Sequence, residues 1–265
     1  MCLAPASLVR FRFPLAALCF GLLAFAANSA ATSHGTVAPP QEVFVLAGQS
    51  NMLGRGEPRS AGEKSNSQLL VWRKKAWKVA ADPLGDPNDP QNGVGPGMTF
   101  GLDILPDLGS QTIGLVMCAV GGTRITKWQP TSSVYQSCIT QVRAAGGHID
   151  GILFLQGESD ATSKDNAKAW ASRFATTLGA FRSDLGSGIP VVIGQIGKIK
   201  ASDYPYQKTV RNQQTQAGTS NPGVAMITTL DLPTGGDHVH FTVASYKTIG
   251  ARFATAWWQL RQSFP

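Results

Sequence analysis

A chain of 265 residues with 43% hydrophobic and 15% charged side chains holds enough apolar material for one sizeable core, which excludes the disordered and fibrous classes. Its net charge of +7 is too dispersed for a nucleic-acid partner, since Arg73-Lys74-Lys75 with Lys78 is the only dense basic group. No internal repeat or long low-complexity linker divides it, so a single domain is expected over 32–265.

The first stretch is of a different kind. Arg10 and Arg12 precede an apolar run from Pro14 to Ala27, and Ala26 to Ala31 offers small residues for cleavage. This pattern predicts a secretory signal peptide over 1–31, cut after Ala30 or Ala31 and too short for a membrane span. The protein is therefore expected outside the cell or in a periplasm, with no membrane contact after processing. Losing two arginines and no acids takes the charge from +7 to +5. Cys2 and Cys19 leave with the signal, and Cys118 and Cys138 remain; an exported pair can oxidise, but spacing alone leaves a bridge or two thiols open. Only four histidines and no Cys-x-x-Cys occur, so no metal site and no cofactor are expected.

After a polar lead-in over Thr32 to Gln41, the run from Val43 to Ala47 reads as a buried strand that stops at Gly48. Glu57 to Gly97 is a long Gly-, Pro-, Asn- and Asp-rich excursion with a short strand signal at Leu69-Leu70-Val71-Trp72. Segments of this length are often functional, and this one begins beside Ser50. A helix over Met98 to Leu108 follows, then a second strand over Thr112 to Val120 and a helix over Val134 to Ala145. Gly151 to Leu155 is a third strand. One long helix is predicted over Lys164 to Leu185, with Trp170, Phe174, Leu178 and Phe181 as its buried stripe. A strand at Pro190 to Ile196, a helix at Tyr206 to Gln216, a strand at Val224 to Thr228 and a helix at Thr242 to Arg261 complete the chain. Strands alternating with helices predict an α/β fold: a three-layer α/β/α sandwich around a five-stranded parallel sheet, flavodoxin-like, with all strand ends at one rim.

Candidate chemistry collects at those ends. Ser50 follows the first strand, where an open sheet meets its ligand; residue type alone leaves it either a nucleophile or the N-cap of the next helix. Asp237 and His240 stand three apart on a turn before the last helix, so one imidazole nitrogen can meet the carboxylate and the other can face Ser50. His238, adjacent to Asp237, is a rival that points away. Gly121 and Gly122 follow the second strand, where a backbone N–H can approach a ligand. Gln156 ends the third strand with an amide able to donate.

Four blocks in order resemble the SGNH-type hydrolases, in the branch of carbohydrate esterase family 6 and sialate O-acetylesterase-like proteins. They are Gly48-Gln49-Ser50-Asn51, Cys118-Ala119-Val120-Gly121-Gly122-Thr123, Gln156-Gly157-Glu158-Ser159-Asp160 and Asp237-His238-Val239-His240-Phe241. The third departs from the four-letter signature by carrying glutamine where asparagine stands, as the carbohydrate esterase branch does. The resemblance implies a serine esterase acting on an acetylated carbohydrate, acetylxylan first and sialate or pectin next; a monomer is expected. Ser50, His240 and Asp237 match its triad, and Ser50, Gly122 and Gln156, with Gly121 as the alternative to Gly122, its oxyanion donors. Glu158 is then a supporting residue or the alternative acid, and Arg124 and Trp128 are expected to line the cleft. Two other classes remain to be weighed. A carbohydrate-binding module on the same scaffold would keep these residues for recognition, whereas a nucleotide binder lacks the phosphate-loop spacing after strand one. Met52 likewise breaks the Gly-x-Ser-x-Gly elbow of α/β-hydrolases.

Overall fold

The computed structural model describes Met1, residues 38–109 and residues 111–264. The chain divides into units 1–35 and 36–265, and the expected signal peptide lies outside the described residues. The second unit starts with β1 (Glu42–Gly48) and a one-turn helix α1 (Ser50–Leu53), then a hairpin of β2 (Leu69–Arg73) and β3 (Ala76–Val79). Next come α2 (Gly97–Leu108), β4 (Ile113–Met117), α3 (Ser133–Ala145) and β5 (His148–Leu155). Helices α4 (Lys164–Lys168) and α5 (Trp170–Leu185), strand β6 (Val191–Gly194), α6 (Gln207–Ser220), β7 (Val224–Ile227) and α7 (Val243–Ser263) follow.

The sheet has seven strands in the order β3-β2-β4-β1-β5-β6-β7, not the five expected. The five expected strands are present and mutually parallel. The extra two come from the excursion: β2 joins the edge parallel to β4, and β3 pairs back on it antiparallel. Strand β3 escapes pattern reading because Ala76, Lys78 and Val79 are exposed and only Trp77 is buried, leaving no apolar run to detect.

Period-two alternation along β1 sets the two faces. Val43, Val45 and Ala47 pack in one core with Ile139 and Val142 of α3, Phe174 and Phe181 of α5 and Val210 of α6. Phe44 and Leu46 pack in the other with Met98 and Ile104 of α2 and Ile249, Phe253 and Trp257 of α7. Both faces of β1 are therefore covered, which is why its seven residues are all buried. The long helix expected from Lys164 onward is broken at Ala169. Trp170, the first residue past the break, is buried as the stripe predicts, and its indole N–H donates to Gln156 Oε1 at 2.8 Å.

From β1 the chain runs out to the hairpin edge, returns to β4 beside β1, and then crosses to β5 on the other side. Ligand crevices of open α/β sheets form where strand order reverses in this way, outside the carboxyl ends.

Candidate active site

At the tip of β1, Gly48 has φ +137°, and a Cβ there would lie 2.0 Å from the carbonyl oxygen of Leu155. Only glycine lets the strand end press onto the β5 backbone before the chain turns at Gln49 into α1. Ser50 is the first residue of that helix, and Gln49 occupies the cap position without a side-chain cap bond. Its hydroxyl is engaged elsewhere, 2.8 Å from His240 Nε2.

His240 Nδ1 lies 2.6 Å from Asp237 Oδ2. A carboxylate only accepts, so Nδ1 carries the proton of this contact and Nε2 is left to accept from the Ser50 hydroxyl. Asp237 Oδ1 accepts from the backbone N–H groups of Val239 and His240, each at 2.9 Å, which ties the turn around the carboxylate. Burial pushes the Asp237 carboxyl up, but those two N–H groups and the His240 ring outweigh it and hold it below its ordinary range. His238 has φ +57°; it reverses the chain so that its neighbours at 237 and 240 meet, while it is itself exposed.

Ser50, His240 and Asp237 open on a cleft of about 950 Å³, walled by Gly121 and Gly122 after β4 and by Asp89, Gln91 and Asn92 of the excursion. The backbone N–H groups of Ser50, Gly121 and Gly122 find no backbone acceptor among the described residues. Gly121 is the nearer of the pair: a Cβ there would be 4.0 Å from Ser50 Cβ and 2.9 Å from Arg55 Nη2, whereas one on Gly122 would meet nothing within 4 Å. Arg55 donates to Asn92 Oδ1 at 2.6 Å and to the Gln91 carbonyl at 2.9 Å, clamping the excursion to the cleft.

Two of the expected contact residues are elsewhere. Gln156 is fully buried, and its Nε2 donates to Asp160 Oδ2 at 2.6 Å and the Thr123 carbonyl at 3.0 Å. With Trp170 donating to its oxygen, the amide has no hydrogen to offer an oxyanion; it braces the β5 end against the loop after Gly122. Trp128 does not line the cleft either. It closes the 3₁₀ turn Ile125–Trp128, whose i, i+3 spacing sends Ile125 and Trp128 to the same buried face, and its ring meets Phe154 edge-on at 5.6 Å. Arg124 stays exposed at the rim, lining with Ser159 and Tyr204 a second hollow of about 440 Å³ that shares Gly122 with the cleft.

Glu158 is wholly buried and makes no bond to His240. Its Oε1 accepts from Asn51 Nδ2 at 2.5 Å, its Oε2 has no partner among the described residues, and burial pushes its carboxyl up. Asn51, which residue reading passed over, is the joint of the site. Its amide also donates to the Val239 carbonyl at 3.2 Å, and its Oδ1 accepts from the Tyr246 hydroxyl at 2.7 Å. Through it α1, the loop after β5, the His240 turn and α7 are fastened together. Gln49 performs a similar task, accepting from the N–H groups of Gly157 and Ser159. The signal for both was their place in the block Gly48-Gln49-Ser50-Asn51, which assigned neither a role. Cys118 and Cys138 are joined, with Cα atoms 5.1 Å apart, tying the end of β4 to α3.

The family model described as carbohydrate esterase, sialic acid-specific acetylesterase, matches residues 40–259. A protein of Arabidopsis thaliana described as a probable carbohydrate esterase is 31% identical over 245 residues, 83% of this chain and 91% of that one. An X-ray structure of an Arabidopsis thaliana protein superposes with a TM-score of 0.75 at 29% identity, over 83% of this chain and 99% of that one. The fold is also similar to that of a carbohydrate acetylesterase from Xanthomonas citri, with a TM-score of 0.65 at 19% identity, over 83% of this chain and 57% of that one.

Proposed function

Because the chain belongs to the carbohydrate esterase, sialic acid-specific acetylesterase family, we propose that it is an exported enzyme removing O-acetyl groups from a polysaccharide, acetylxylan foremost, through Ser50, His240 and Asp237. One observation carries the reading: a continuous proton path of 2.8 Å and 2.6 Å links the Ser50 hydroxyl to the Asp237 carboxylate through one imidazole. A sugar-binding module has no use for such a path.

In this mechanism His240 Nε2 takes the Ser50 proton as Oγ bonds to the acetyl carbonyl carbon, and Asp237 stabilises the imidazolium that forms. The carbonyl oxygen becomes an oxyanion facing the N–H groups of Ser50 and Gly121, with Gly122 beside them, and such donors are worth about 10²–10³-fold each. His240 then protonates the departing sugar oxygen, the Oγ-acetyl bond remains, and water activated by the same imidazole releases acetate and restores Ser50. Gln156 and Glu158 act behind this set as braces. Arg124 at the rim is a contact for the sugar rather than for the acetyl group.

Export is part of the same proposal, and the Cys118–Cys138 bridge supports it, since disulfides persist in oxidising compartments. A monomer is the working form. The family's description also names sialic acid, so O-acetylated sialic acid is the second substrate to try. The test is acetate release from p-nitrophenyl acetate, acetylated xylan and O-acetylated sialic acid by wild type and Ser50→Ala. Wild type is expected to prefer xylan, and the variant to lose activity by about 10³-fold or more. Undiminished hydrolysis by Ser50→Ala would remove Ser50 as nucleophile; a preference for sialic acid would change the substrate.

A further inference from the structure

A second groove, of about 810 Å³, runs beside the catalytic cleft and shares Leu53 and Ala119 with it. Trp72, Lys74 and Lys75 of the β2–β3 hairpin stand on one wall, with Gln136 and Thr140 of α3 opposite. The hairpin itself is unusual. Arg73 pairs with Ala76, so Lys74 and Lys75 form a two-residue loop, and their φ angles are 51° and 58°. Two consecutive left-handed residues are the type I′ geometry that Asn-Gly fills best and that the Cβ of most other residues disfavours. Lysines held at such positions point to a function for their side chains.

Both ammonium groups are free to serve one. Lysine ion pairs among the described residues are Lys200 with Asp203 and Lys247 with Glu63, leaving Lys74 and Lys75 unpaired. Arg73, by contrast, is committed through Nη2, which donates to the carbonyls of Pro83 at 2.6 Å, Leu84 and Gly85; it anchors the hairpin to the loop that floors the groove. Asp86 is the acid on the lining, and Asn88 already donates to it twice. The half-buried Trp72 adds an apolar, amphipathic ring of the kind that packs on the C–H face of a sugar.

We propose that this groove binds the stretch of a uronate-bearing polysaccharide next to the acetylated residue, with Lys74 and Lys75 on its carboxylates. The inference rests on the esterase reading, because continuity with the cleft is what places a polymer there. It makes the enzyme a reader of acidic chains rather than of isolated acetyl sugars.

Affinity electrophoresis through gels containing glucuronoxylan, or the same polymer with its carboxylates reduced to alcohols, tests it without turnover. Wild type should be retarded more by the acidic polymer, and less so as salt rises. In Lys74→Asn/Lys75→Gly, affinity for the acidic polymer should fall about threefold to tenfold, as two exposed charge contacts allow, while the melting temperature rises because the turn is relieved. Lys75→Gln, which removes one charge and keeps the left-handed strain, should show a smaller loss with no gain in melting temperature. Equal retention by both polymers, unchanged affinity in the double variant, or stronger retention by single-stranded DNA than by glucuronoxylan would overturn the proposal. Acetate release from p-nitrophenyl acetate is read separately: release with equal retention defeats the groove alone, and acid-selective retention without release defeats the esterase reading alone.

Discussion

Between the two carboxylates that bracket His240, geometry makes the choice. Asp237 touches the ring at 2.6 Å and is half-exposed and ionised, whereas Glu158 is enclosed, bonded to Asn51, and driven toward its neutral form by burial. Asp237→Asn should therefore lower kcat by roughly 10³–10⁴-fold, the scale on which an imidazole loses its orienting carboxylate. Glu158→Gln keeps the shape of a side chain that makes no bond to the ring and should cost less than about tenfold. Side-by-side kcat values on p-nitrophenyl acetate check this, and the opposite ranking would transfer the acid's role to Glu158. At the same scale, Ser50, Asp237 and His240 were legible because hydroxyl, carboxylate and imidazole at strand ends form a recognisable chemical set. Asn51 and Gln49 were not. A buried amide that fastens loops together has no periodicity and no reactivity of its own, so the block Gly48-Gln49-Ser50-Asn51 marked both residues without telling what they hold.

At the scale of elements, the largest misplacement was Trp128. Nothing in Arg124-Ile125-Thr126-Lys127-Trp128 distinguishes a platform for a sugar from an anchor in the core, since a 3₁₀ turn differs from a loop only by which residues it aligns. With the ring enclosed against Phe154 and Phe181, Trp128→Ala should destabilise the fold by about 3–5 kcal/mol. Thermal or urea unfolding measures that loss, and KM at a temperature where the variant is folded should hardly move. A raised KM with unaltered stability would return Trp128 to the cleft. The same limit explains Gln156. Its position just past the end of β5 suggested a donor facing substrate, and the fold instead buried it and turned it toward Asp160 and Trp170. Strand β3 was missed for the converse reason, being an edge strand whose outer residues are exposed.

Over the molecule as a whole, layer architecture and the rim where the chemistry gathers were legible, because apolar runs of period two and helical stripes report burial directly. Strand count was not, since edge elements bury little. Stability carries one signature of this architecture. Asp82, within the excursion, is pushed up to about 7 by burial, far above its unfolded value of about 3.9. The folded state then holds a proton that the unfolded chain has already lost, so this contribution is complete below about pH 4 and fades as pH climbs through 7. Asp82→Asn should match wild type in melting temperature near pH 4 and exceed it at pH 8; parallel curves across that range would refute the shift.

The separation of 190 residues between Ser50 and His240 has a temporal consequence. As the chain is synthesised, the serine emerges early, and the imidazole that meets it follows 190 residues later. A fragment ending before Asp237 holds the hydroxyl without its imidazole and carboxylate, so on the proposed mechanism it should release no acetate.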